Sequence, residues 1–244
     1  MGNKVVLITG ASRGLGKSIA RNLAKSSYDL ILNYNNSLND VEKLQEELKM
    51  YNVKTLAIKA DISIEDEVRN MVDTSINEFG KIDILINNAS IAIDTIVEDK
   101  TVDNFKRILD VNLIGTFLVT KYVSRHMLKE KSGKIINISS TNAIDTNYPE
   151  SMDYDASKAG VISLTHNFAA YLAPYITVNC IAPGWINTDM NKDMDIEFKT
   201  NEESKIMLGR FANIEEIANV VEFLVSDKSS YINNTVIRVD GGKK

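Results

Sequence analysis

The chain has 244 residues, 44% of them hydrophobic and 25% charged, which suits one α/β domain with a full core. Its 28 Lys and Arg stand against 33 Asp and Glu, and the net charge of -5 gives no general attraction to nucleic acid or to an anionic membrane. A single cysteine, Cys180, and two histidines, His126 and His166, rule out a disulfide framework and leave too few ligands for a structural zinc, so no metal site is expected.

The first apolar run, residues 5–8, is too short for a signal-peptide core, and no later stretch approaches the roughly 18 apolar residues of a membrane span. A soluble, cytoplasmic protein is expected. Six further strand-like runs follow at 30–32, 55–58, 82–86, 135–138, 176–181 and 236–239, mostly apolar at successive positions, as in parallel strands buried on both faces. Between them lie amphipathic stretches at 16–26, 40–51, 64–79, 102–130, 156–172 and 214–225. This alternation predicts an α/β fold: a single-domain, Rossmann-type, doubly wound parallel sheet of about seven strands with helices on both faces. The three prolines, Pro149, Pro174 and Pro183, fall at element ends, and no repeat or linker divides the chain. Residues 1–244 are read as one domain, with a cofactor half to about 135 and a catalytic and substrate half beyond. The weakly patterned segment 187–209 is charged but carries Met190, Met194, Ile196, Phe198, Ile206, Met207 and Leu208. It reads equally as a lid over a substrate or as a surface helical excursion.

Where the first strand gives way to the first helix stands Thr9-Gly10-Ala11-Ser12-Arg13-Gly14-Leu15-Gly16. Glycines there let the backbone approach a pyrophosphate at a helix N-terminus, although three glycines alone also suit a plain tight turn. An NAD-selective site places an acid at the end of the second strand, whereas Asn33-Tyr34-Asn35-Asn36-Ser37 has none. Arg13 can offer a guanidinium to a 2'-phosphate, so NADP(H) is favoured and NAD(H) stays open. Further along, Tyr154 and Lys158 lie one helical turn apart and share a face, and Ser140 follows the preceding strand. A hydroxyl, a phenol and an ammonium at the carboxyl edge of such a sheet suit carbonyl reduction. A phenol near its ordinary pKa of ~10 needs about 4 kcal/mol of help to cycle near neutrality, which Lys158, aided by oxidised nicotinamide, is expected to supply. Cys180 reads as a buried small hydrophobe, the histidines as structural or surface groups, and Trp185 either as a pocket wall or as ordinary packing.

The T-G-x-x-x-G-x-G spacing resembles the fingerprint of the short-chain dehydrogenase/reductase family. The likeness spans essentially the whole chain through Asp61-Ile62, Asn87-Asn88-Ala89, Asn112, Ser139-Ser140, Tyr154-x-x-x-Lys158 and Pro183-Gly184. It implies that Gly10, Ser12, Arg13, Gly14, Leu15 and Gly16 hold the phosphates, that Asn35 and Ser37 face the ribose end, and that Asp61 and Ile62 meet the adenine. It further implies that Asn88 and Ala89 line the cofactor channel and that Pro183, Gly184, Ile186 and Thr188 hold the carboxamide. Asn112, Ser140, Tyr154 and Lys158 would be the catalytic group, Lys158 also binding the nicotinamide ribose; read without the family, Asn112 is a solvent-facing helix residue.

Within the family the chain is most similar to the β-ketoacyl-(acyl carrier protein) reductases, judged by the segments around Gly10, Tyr154, Pro183 and Val239-Asp240-Gly241-Gly242. The implied activity is NADPH-dependent reduction of a β-ketoacyl thioester or similar ketone by a homotetramer. Departures are Ser90 in place of a glycine, Asn233-Asn234 in place of Thr-Gly, and a glycine-free stretch 141–153 beside the substrate. They leave open a polyol, steroid or other small alcohol or ketone as substrate, and a non-catalytic NADP(H)-sensing regulator as the remaining reading. An acyl carrier protein is weakly supported as a partner. Of the two basic positions such carriers need, the first is matched by Lys131, with Lys129 and Lys134 close by, and the second falls at Pro174.

Overall fold

A computed structural model describes residues 3–188 and 194–243. The strands are β1 (Val5–Ile8), β2 (Asp29–Tyr34), β3 (Thr55–Lys59), β4 (Ile84–Asn87), β5 (Gly133–Ile138), β6 (Ile176–Pro183), β7 (Ile186–Asn187), β8 (Ala212–Asn213) and β9 (Val236–Val239). The helices are α1 (Gly14–Lys25), α2 (Leu38–Leu48), α3 (Glu65–Phe79), α4 (Val102–Leu109), α5 (Thr116–Glu130), α6 (Met152–Leu172), α7 (Ile196–Ser204) and α8 (Ile214–Val225). All seven expected runs enter one parallel sheet in the order β3-β2-β1-β4-β5-β6-β9, while β7 and β8 form a small parallel pair of their own.

Alternate residues of each central strand feed two separate cores, which is why these runs are apolar at successive positions. Val6, Ile8, Leu30, Leu32, Ile86 and Ile136 pack with α1, α2 and α8; Val5, Leu7, Ile31, Leu85, Ile135 and Val178 pack with α3, α5 and α6. Each such fully buried side chain stabilises the fold by about 1.5–3 kcal/mol. The strand order reverses between β1 and β4, since β1 pairs with β2 on one side and with β4 on the other, and that switch opens a crevice at the carboxyl ends of the strands. Among the described residues no helix is long and apolar enough to cross a membrane.

Two local details depart from the sequence reading. The continuous periodicity of 102–130 hides a π-helical turn, Asp110–Gly115, between α4 and α5. Helix α6 begins at Met152 rather than at 156, because Asp153 and Asp155 in its first turn suit the positive end of the helix dipole. Of the segment 187–209, residues 189–193 lie outside the described residues, and the rest supplies β7 and α7. At the Asn233-Asn234 departure, Asn234 takes the left-handed φ of 60° that a glycine would otherwise provide, and Asn233 Oδ1 accepts from Val178 N at 2.9 Å.

Candidate active site

The glycine turn leaves β1 at its carboxyl end and is braced on both sides. Gly10 has φ +64°, and a Cβ there would stand 2.9 Å from Ala89 Cα; one on Gly16 would stand 2.3 Å from Gly10 O. Only glycine permits this approach. Asn88 Nδ2 donates to Thr9 O (3.0 Å) and Gly10 O (3.1 Å), and Thr9 Oγ1 accepts from the amides of Asn88 and Ala89. The side chain of Asn88 is therefore also a strut for the turn. Buried Asn33 braces the other side, its Oδ1 accepting from Gly10 N and its Nδ2 donating to Ala60 O at 3.0 Å.

Nothing lies within 4 Å of a Cβ built on Gly14, and the first amides of α1 open onto the same space, so the turn fits a pyrophosphate. Ser12 is buried beneath the turn, Leu15 packs on the core, and Arg13 is exposed with no bond to its guanidinium among the described residues. At the far end, half-buried Ser37 precedes α2, and Asn35 Nδ2 donates to Asp61 Oδ2 at 3.1 Å. Arg107 on α4, which the sequence did not single out, pairs with the same oxygen at 2.9 Å. Burial alone would raise Asp61, but bonds from Ser63 and Arg107 outweigh it and hold the carboxyl at about 2. Ile62 is buried against Gly115, so a cofactor contact there falls to its main chain.

The chemical end collects at the carboxyl edge of β5 and β6. Ser140 and Tyr154 face a cavity of about 990 Å³, and a hydrogen bond from Ser140 reaches the phenol. Lys158 is only 2% exposed; its Nζ donates to Ile138 O at 2.9 Å and lies 5.5 Å from the centroid of the Tyr154 ring. Burial pushes this ammonium down to about 8. Burial likewise pushes the phenol up to about 12, with the Ser140 bond acting the other way. In the chain without cofactor, desolvation of the phenolate dominates, and the ammonium's hydrogen bond goes to a main-chain carbonyl.

Asn112 is buried in the π-helical turn, not solvent-facing. Its Oδ1 accepts from Ile91 N (2.8 Å), and its Nδ2 donates to Ile91 O (2.9 Å) and Ser157 Oγ (3.0 Å). The extra residue of the π turn rotates this amide inward, where it joins the 88–91 loop to α6. Pro183 ends β6; Gly184 N donates to Val239 O, and Gly184, Ile186 and Thr188 line the cavity.

Tyr148, Trp185, Phe198 and Glu202 close the other side of the cavity. Trp185 stacks on Phe211 (centroids 5.4 Å) and meets Tyr148 and Phe198 edge-on. Its Nε1 donates to Glu202 Oε2 at 3.2 Å, and Tyr148 hydroxyl donates to the same carboxylate. Burial would raise Glu202, but these bonds and Lys205 hold it below its ordinary value, while burial and Glu202 raise Tyr148. Tyr148 and Glu202 are 54 residues apart, and no motif or periodicity links them. Lys134, expected beside Lys131 as part of a cationic patch, is instead turned inward: it donates to Leu224 O, Ser226 O and Ser229 Oγ at the end of α8.

Residues 10–244 match the family described as enoyl-(acyl carrier protein) reductase. The chain is 41% identical over 241 residues to 3-oxoacyl-(acyl-carrier-protein) reductase FabG of Staphylococcus epidermidis, covering 98% of each. Among solved structures it resembles 3-oxoacyl-(acyl-carrier protein) reductase from Brucella melitensis, with TM-score 0.92, 31% identity, and coverage of 99% of this chain and 91% of that one. It equally resembles a gluconate 5-dehydrogenase from Burkholderia cenocepacia in complex with NADP and tartrate, with TM-score 0.93, 31% identity, and coverage of 99% and 95%. A match this complete, over a fold and motif order of this kind, shows that the chain belongs to the short-chain dehydrogenase/reductase family of oxidoreductases.

Proposed function

We propose that the chain is an NADPH-dependent carbonyl reductase that converts a β-ketoacyl thioester, or a similar small ketone, to a secondary alcohol. The convergence of Ser140 and Tyr154 on one cavity, with buried Lys158 5.5 Å from the centroid of the Tyr154 ring, carries this reading. Ser140 hydrogen-bonds the substrate oxygen and polarises the carbonyl. Tyr154 donates its proton to the oxygen as negative charge builds there. Lys158 then stabilises the phenolate left behind, and Asn112 holds the 88–91 loop against the same helix. Bound nicotinamide supplies the hydride. The phenol, raised by burial, is protonated near neutrality and so able to donate.

NADPH fits the acid-free end of β2 and the exposed guanidinium of Arg13, with Gly10, Ser12, Gly14, Leu15 and Gly16 on the phosphates and Asn35, Ser37, Asp61 and Ile62 toward the adenosine. Ala89, Pro183, Gly184, Ile186, Thr188 and Lys158 would hold the nicotinamide riboside. The protein is read as a cytoplasmic homotetramer; exposed Ile114, Phe117 and Tyr171 on the faces of α5, its preceding turn and α6 support assembly. A second reading has one observation in its favour: Asn142, Asp145, Thr146 and Asn147 give the cavity a polar side that suits a polyol. NADPH oxidation with a panel of β-ketoacyl thioesters, simple ketones and ketoses decides between them. Turnover confined to ketoses would replace the thioester reading, and no turnover with any carbonyl would refute reductase function.

A further inference from the structure

One buried ion pair lies beside the catalytic group and takes no part in the mechanism above. Lys100 Nζ donates to Asp153 Oδ1 at 3.0 Å, to Asp153 Oδ2 at 2.9 Å and to Ile93 O at 3.2 Å. The two side chains are 4% and 0% exposed. All three ammonium protons are used. Asp153 Oδ1 also accepts from Tyr154 N at 3.0 Å, so the carboxylate holds the backbone of the residue that carries the phenol. Lys100 directly precedes Thr101, whose side chain caps α4 by accepting from Asn104 N. One ammonium therefore joins the start of α4, the main chain of the loop at Ile93, and the first turn of α6.

The loop has two more ties to α6 and the turn before it. Ile91 is held through Asn112 and Ser157, and Thr95 N donates to Glu150 O at 3.1 Å. The Lys100–Asp153 tie sits between them. A buried ion pair is a poor source of net stability, because desolvation of both charges offsets their attraction and an apolar pair of like size often does as well. What it supplies is fixed geometry: an ammonium saturated by three oxygens has one arrangement, which a methionine in the same space would not enforce.

Resting on the reductase reading of the site, we infer that Lys100 and Asp153 are positioning residues that lock the 88–96 loop to the amino end of the tyrosine-bearing helix and so set Tyr154 against the substrate. The test compares the parent with K100M/D153N, which removes both charges together while Asn keeps an acceptor for Tyr154 N. Amide hydrogen exchange, turnover with the best ketone of the panel, NADPH affinity and Tm are measured on both. The expected result is exchange in 88–100 and in the first turn of α6 faster by roughly tenfold or more, with the sheet unchanged. Turnover falls roughly tenfold to a hundredfold through kcat, as for a reacting group displaced by about 1 Å, while NADPH affinity and Tm hold. Parental turnover, or parental exchange in both segments, overturns the inference. Global loss of protection in the double variant also overturns it, since the pair would then be a requirement of folding. Failure of the parent to reduce any carbonyl would sink the reductase reading instead, and the exchange data would still decide whether the pair locks the loop.

Discussion

Replacing Lys158 by Met separates stability from function in a way that can be worked out from the structure. The ammonium is 2% exposed and is pushed from 10.5 down to about 8, which corresponds to about 3 kcal/mol of destabilisation when it is charged. Met has a similar length, removes that cost, and forfeits the bond to Ile138 O, worth ~1 kcal/mol. The variant should therefore be about 2 kcal/mol more stable than the parent at neutral pH, and inactive. The folded-state value lies below the unfolded one, so the cost is fully present below about pH 8 and is relieved as pH rises to 10.5. The parent should close the gap on K158M over that window. Tyr154, raised to about 12, weakens the parent only above pH 10. Urea unfolding of the two proteins at intervals from neutral pH to 10 measures the difference. A variant less stable than the parent at neutral pH, or a gap independent of pH, would refute the claim that the site holds a desolvated ammonium.

The same ammonium should shape kcat/KM for NADPH, which falls above about pH 8 by about tenfold per unit as Lys158 loses its proton; a flat profile to pH 10 would contradict its role. Arg13→Ala should weaken NADPH by roughly ten- to a hundredfold and NADH little, since charge-assisted bonds contribute about 1.5–3 kcal/mol. Equal losses with both cofactors would show that Arg13 does not read the phosphate. Carrier-linked substrate should gain less than about tenfold in kcat/KM over a small thioester, because exposed pairs contribute only ~0.2–1 kcal/mol each. Lys131, stacked near Tyr175, is left without Lys134, and a larger advantage that collapses with salt would restore a carrier-dependent reading.

The sheet was legible because buried parallel strands write their burial into the sequence as unbroken apolar runs, and all seven appear where those runs stand. The Tyr154–Lys158 pair was legible because four residues bring two side chains to one helix face. What escaped depends on contacts between distant segments. Lys100 and Asp153 look like a loop lysine and a helix-start acid until the fold brings them together, and Arg107 lies 46 residues from Asp61. Asn112 was misread because a π turn leaves the apolar periodicity of 102–130 intact while turning one amide inward. Lys134 shows the converse: a lysine that composition places on the surface is drawn inward by the carbonyls at the end of α8.

The central claim, that Tyr154 delivers the proton, is tested most directly by Tyr154→Phe. Phe keeps the ring and its packing but leaves the substrate oxygen without the phenolic proton. Steady-state NADPH oxidation should fall below about one per cent of the parent at saturating ketone, while NADPH binding, followed by its fluorescence, stays within about twofold. Turnover above that level with cofactor binding intact would contradict the assignment of Tyr154 as the acid.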